Sequence, residues 1–98
     1  MAIGLKMRFP RGTQEQYIAV HDHIDIENRP PHGLIFHVSG PIDGGWEVID
    51  VWHSRNDFDV FAQTRLMPAI AELGADRAFP ESPDIKEFSV HNYTVPTI

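Results

Sequence analysis

No cysteine occurs in the 98 residues, so neither a disulfide framework nor a thiol nucleophile is available. Positive charge is scarce: eight Lys and Arg stand against fourteen Asp and Glu, for a formal net charge of -6. Those cations are scattered and form no basic stripe, so nucleic acid is not an expected partner. No apolar run approaches the roughly 20 residues of a membrane span. Met1–Arg8 also lacks the charged, apolar, small-residue order of a signal peptide, and a soluble cytoplasmic protein without membrane association is expected. A phosphate-binding glycine loop is missing too, because Gly40–Gly45 lies between two strand-like runs and opens no helix; no nucleotide cofactor is expected. Six histidines raise the question of a metal. However, His21 and His23 on a helix point about 200° apart, and no Cys or second close carboxylate completes a set, so no metal site is expected.

What remains is a composition that is 42% hydrophobic, enough for one core and one domain over residues 1–98. A chain this short leaves much apolar surface uncovered, and a homodimer is the natural remedy. Ile3, Leu5, Met7 and Phe9 alternate with Gly4, Lys6 and Arg8 as in a half-buried strand, which Pro10-Arg11-Gly12 ends. Thr13 and Gln16 form a capping-box pattern, and Tyr17, Val20, His21 and Ile24 follow at helical spacing, predicting a helix from about Gln14 to Asp25. The turn-rich Asn28–Gly33 linker leads to two strands, Gly33–Gly40 and Trp46–Trp52, around Pro41–Gly45. Ser54 is a helix N-cap with Asp57 in the first turn, and Phe58, Phe61, Ala62, Leu66, Ile70 and Leu73 keep helical period. That second helix is expected from about Arg55 to Leu73, bent just upstream of Pro68 and closed by Gly74 in a left-handed conformation. Ala78–Asp84 reads as loop, and Ile85 to Tyr93 as a fourth strand, with Phe88 and Val90 on one side and Glu87, Ser89, His91 and Tyr93 on the other.

The order β-α-β-β-α-β is the ferredoxin-like split βαβ arrangement, an α+β fold with a four-stranded antiparallel sheet and two helices on one face. The other face has no cover within the chain, and a second copy packed sheet to sheet would hide it. The element order, Gly44-Gly45-Trp46, the strand Val48–Trp52 running into Ser54-Arg55-Asn56-Asp57-Phe58, Leu66-Met67-Pro68-Ala69 and the closing Val90-His91-Asn92-Tyr93 together resemble the dimeric α/β-barrel superfamily. Within it the sequence is similar to the antibiotic biosynthesis monooxygenase-like proteins. The resemblance implies a dimeric α/β barrel. It leaves several activities open, among them cofactor-free oxygenation of aromatic polyketides, haem degradation, polyketide cyclisation and lactone isomerisation. Haem-degrading relatives bind iron through a histidine on the second helix, and Arg55–Leu73 contains none.

A turn of Pro41 to Gly44 would set Ser39 opposite Trp46, His37 opposite Val48 and Ile35 opposite Asp50. One face then carries Leu34, Phe36, Val38, Ile49 and Val51, with Glu47 at its end. The other carries Ile35, His37, Ser39, Trp46, Val48, Asp50 and Trp52, and the resemblance places a ligand pocket on that side, between sheet and helices. His37 and Asp50 are diagonal neighbours in this register; a five-residue turn would part them. As a pair they form a general base and its orienting carboxylate, suited to a phenolic or enolic proton. They equally fit a hydrogen-bonded core histidine beside an aspartate that serves structure alone. Trp52, Trp46 and Phe61 are candidate aromatic walls for a hydrophobic or aromatic small molecule, or else core. Tyr17, with His21 one turn on, can face the same space, and His91 on the last strand offers a further contact. The function expected is a cofactor-independent monooxygenase-like enzyme. A cyclase, an isomerase and a non-catalytic binding dimer are the alternatives.

Overall fold

The computed structural model describes residues 1–97. Four strands, β1 (Ile3–Pro10), β2 (Leu34–Ile42), β3 (Gly45–Trp52) and β4 (Asp84–Ser89), form one antiparallel sheet in the order β2-β3-β1-β4. Between them lie α1 (Gln14–Ile24) and a helical run made of α2 (Arg55–Phe61), a π-helical turn (Ala62–Leu66) and α3 (Met67–Leu73). This is the expected split βαβ architecture. Ile3, Leu5, Met7 and Phe9 of β1 are all buried and pack with Val20, Ile24, Trp52, Phe58 and Phe61, so the core lies between sheet and helices.

The local devices follow from the sequence. Gln16 N donates to Thr13 Oγ1 at 3.2 Å and Thr13 N to Gln16 Oε1 at 3.0 Å, closing the capping box of α1. That helix ends one residue earlier than expected, at Ile24, because Asp25 turns left-handed with φ 60°. Asp57 N donates to Ser54 Oγ at 3.1 Å, starting α2 as predicted. The expected bend near Pro68 takes the form of the π turn, in which Met67 N bonds back to Ala62 O. Pro68 has no N–H to return to Thr64, so the run absorbs an extra residue at that point. Gly74 takes φ 79° but ψ 167°, so the predicted left-handed closure is replaced by a positive-φ exit with an extended ψ.

Three expectations need correction. The hairpin turn is two residues, Asp43-Gly44, with Gly44 at φ 77°, and Ile42 pairs with Gly45. A turn that tight moves the register by two, which keeps every residue on its face but sets His37 directly opposite Asp50. A bulge falls between Leu34 and Phe36, so Leu34 pairs with Trp52 and joins the helix side, where the expectation had placed Ile35. Finally, β4 stops at Ser89, short of Tyr93. Its neighbour β1 begins at Ile3, and after Val90 N bonds to Ala2 O no partner strand remains for His91 and Tyr93.

The far face of the sheet carries Phe36, Val38 and Phe88, which are 40%, 50% and 46% exposed in the single chain. Three large apolar side chains left open on one flat face are unusual for a monomer.

Candidate active site

The hairpin register assembles the site. β2 and β3 hold His37 against Asp50, whose Oδ1 lies 2.6 Å from His37 Nδ1. Asp50 is 4% exposed, the one charged residue in the core among the described residues. Two residues along the same face of β3, Trp52 Nε1 donates to Asp50 Oδ2 at 3.1 Å. An indole N–H can only donate and a carboxylate can only accept, so Asp50 receives from Trp52 on one oxygen and from the His37 Nδ1–H on the other. Such second-partner bonds fix the tautomer and orientation of an imidazole. His37 Nε2 is thereby left as the free, basic nitrogen.

That nitrogen is occupied from α1. Tyr17 Oη lies 2.5 Å from His37 Nε2, and the two rings are nearly parallel, 9° apart at 5.9 Å. The other side of Tyr17 leans on Trp46 at 5.4 Å and on His21 at 5.3 Å. Burial pushes the Tyr17 phenol above its ordinary value; a hydrogen bond with Ser39 pulls the other way, and the Asp50 and Glu27 carboxylates add to the rise. Tyr17 therefore carries its proton and presents a neutral hydroxyl. The result is an Asp50–His37–Tyr17 chain in which a carboxylate orients an imidazole and the imidazole polarises a hydroxyl, the geometry of an activated acid–base group.

Tyr17, His21, His37, Asp50, Trp52 and Phe61 all border one largely apolar cavity of about 50 Å³. Trp52 is fully buried and packs on Phe58 and Phe61 at 5.6 and 5.4 Å, so it is core and cavity wall together. Two candidates fall elsewhere. Trp46 is buried behind Tyr17 and does not reach the cavity. His91 is exposed, beyond the end of β4, and lies outside the site because the strand meant to carry it inward has no neighbour there.

Residues that the sequence did not point to complete the walls. Phe79, in the segment read as loop, is 8% exposed and stacks on Phe9 with centroids 4.0 Å apart. With Met7, Phe9, Phe58 and Leu66 it separates the inner cavity from an outer groove of about 440 Å³ bordered by α3 and Pro80–Pro83. A cavity of about 50 Å³ holds a few waters. The groove has the volume of a small-molecule site.

No protein-family model matches the sequence, and no curated protein matches it. Solved structures do match, over nearly the whole chain. A candidate antibiotic biosynthesis monooxygenase from Chloroflexus aurantiacus superposes with a TM-score of 0.66 at 16% identity, covering 98% of this chain and 100% of its own. SnoaB, a cofactor-independent oxygenase from Streptomyces nogalater, gives 0.60 at 16% identity, covering 98% and 97%. A Nitrosomonas europaea protein of unknown function gives 0.68 at 13% identity, covering 98% and 95%. The chain has the fold of the antibiotic biosynthesis monooxygenase-like proteins.

Proposed function

We propose that the protein is a cofactor-independent enzyme that removes a proton from an aromatic or polyketide-like small molecule. The observation that carries this is the 2.6 Å contact between His37 and a buried Asp50, with Tyr17 closing the chain on the cavity side. The guest's phenolic or enolic proton passes to Tyr17 Oη as the tyrosine's own proton moves to His37 Nε2, and Asp50 holds the imidazolium so formed. Tyr17 is thus the group that touches the guest, and His37 acts behind it. An anion made in an apolar cavity is shielded from reprotonation by water. It can then meet dioxygen, as in a monooxygenase, or close a ring, as in a cyclase. The fold shared with SnoaB supports the first course.

An aromatic guest is larger than the inner cavity, so the wall of Phe79, Phe58 and Leu66 must yield toward the outer groove. The neighbouring π turn supports that view, since such irregular helical turns gather at functional sites. The test uses 2-tetralone, an aromatic ketone with an enolisable CH₂, in D₂O. The protein is expected to accelerate deuterium uptake at that carbon, seen by proton NMR. An unchanged exchange rate would remove the base chemistry, and oxygen consumption with the same probe separates oxygenase from cyclase.

The same reading takes the working unit to be a homodimer closed over the sheet face of Phe36, Val38 and Phe88. Sedimentation should give a dimer. Phe36→Glu combined with Val38→Glu should give a folded monomer, and a wild-type monomer at high concentration would exclude this assembly.

A further inference from the structure

Met7, Phe9, Phe58, Leu66 and Phe79 border both the inner cavity and the outer groove, so one layer of side chains parts the two spaces. Four of them are fixed by regular structure. Met7 and Phe9 lie on β1, which is paired on both sides, Phe58 lies on α2 against Trp52, and Leu66 ends the π turn. Phe79 alone sits outside any helix or strand. Among the described residues no backbone hydrogen bond ties the segment 79–83 to the rest of the chain, and Pro80 and Pro83 have no N–H to offer one.

Side chains hold this strap in place. The Phe79 ring stacks on Phe9 with centroids 4.0 Å apart and rests against Gly12, where a Cβ would come within 3.0 Å of it. Arg11 Nε donates to Glu81 Oε2 at 2.8 Å, and Arg11 is itself pinned to the hairpin by its N–H to Gly44 O at 2.7 Å. That ion pair is largely exposed and therefore weak. A strap held in this way lifts without breaking a strand or a helix.

We propose that Phe79 is a gate whose ring swings off Phe9 and opens the inner cavity into the outer groove, so that one polycyclic guest lies across both; this role rests on the base chemistry proposed for the same site. The volumes call for it. An apolar cavity of about 150 Å³ takes up a benzene ring. The closed inner cavity has about 50 Å³, against about 440 Å³ for the groove outside. The polar groups then orient the guest. Of the two spaces Tyr17, His37 and Asp50 border only the cavity, and in the lining of the groove only Glu81 and Ser82 carry polar side chains. The oxygenated ring therefore points inward, and an unsubstituted apolar ring lies outward beside Ile70 and Ile85. That outer contact selects among guests. Burying a second ring offsets the cost of moving Phe79 off its stack, and a guest with a single ring has no such contact to make.

The test reads binding without chemistry. N-phenyl-1-naphthylamine, a neutral polycyclic amine with no enolisable proton, brightens in apolar surroundings and reports its own affinity. In ¹³C-labelled wild-type protein, nuclear Overhauser contacts from the bound probe are expected at Trp52 and Val48, which border the cavity and not the groove, and at Ile70 and Ile85, which border the groove and not the cavity. Contacts with one set alone, or no binding, overturn the gate. Phe79→Ala should bind the probe about tenfold more tightly or better, the inverse of an open population of at most about 10%. Gly12→Ala keeps the ring and crowds its closed seat, so it should tighten binding as well. Wild-type affinity in either folded variant overturns the proposal, and the wild-type contacts with Gly12→Ala decide the matter if Phe79→Ala fails to fold. Contacts with both sets in a protein that does not enolise 2-tetralone count against the base chemistry alone; enolisation without them counts against the gate alone.

Discussion

His37→Ala is expected to lower the deuterium exchange of 2-tetralone by about 10²–10⁴-fold, the usual contribution of a positioned general base. Every other group in the chain depends on this ring. Without it Tyr17 loses the acceptor for its proton, and burial, which already pushes the phenol upward, leaves it a poor base by itself. The fold should tolerate the change, because His37 sits at the polar edge of the cavity and is not part of the apolar cluster. Its removal does strip Asp50 Oδ1 of a partner, at a cost of about 1–3 kcal/mol. His37→Gln separates the two effects: an amide restores a donor to Asp50 without supplying a base, so stability should recover while exchange does not. Circular dichroism and the NMR exchange assay together decide the point. A His37→Ala protein with wild-type exchange would show that the chain is structural.

The architecture was legible because its signals are periodic. Alternation in β1, the Thr13–Gln16 and Ser54 caps, and helical spacing from Phe58 to Leu73 each specify an element without knowledge of the rest, and all appear. The pairing of His37 with Asp50 was half legible. Face parity survives a two-residue slip in the hairpin, so the sequence pattern puts both on the correct side although the turn has two residues and not the four its composition suggests. The Ile35 bulge and the early end of β4 were not legible. A bulge is decided by how the strand meets its neighbour, and a strand's end by where the adjacent strand begins. For the same reason His91, expected on an inward-facing strand, lies beyond the end of β4 and does not line the cavity, whereas Phe79, in a segment read as loop, is a wall. Tyr17 was visible as a residue facing the cavity. That its hydroxyl caps His37 Nε2 depends on how α1 lies across the sheet, which no local pattern encodes.

Trp52 brings fold and chemistry to one residue, and Trp52→Ala should have the largest effect on stability. The side chain is fully buried, packed against Phe58 and Phe61, and its Nε1 holds Asp50 Oδ2. Truncating a buried aromatic costs about 3–5 kcal/mol, against a total of roughly 5–15 kcal/mol for a typical domain. Most of the stability should be lost, and thermal unfolding followed by circular dichroism should show a Tm lower by more than about 10 °C. Trp52→Phe refines the test, since it keeps much of the packing and deletes only the donor. That variant should stay folded, yet Asp50 would then be held by His37 alone and would be freer to swing away from the imidazole. Its exchange of 2-tetralone should fall although no group touching the guest has changed. If Trp52→Phe matches the wild type in exchange, the indole N–H is a packing accident; if Trp52→Ala unfolds at the wild-type temperature, the core does not rest on the sheet-to-helix contact described here.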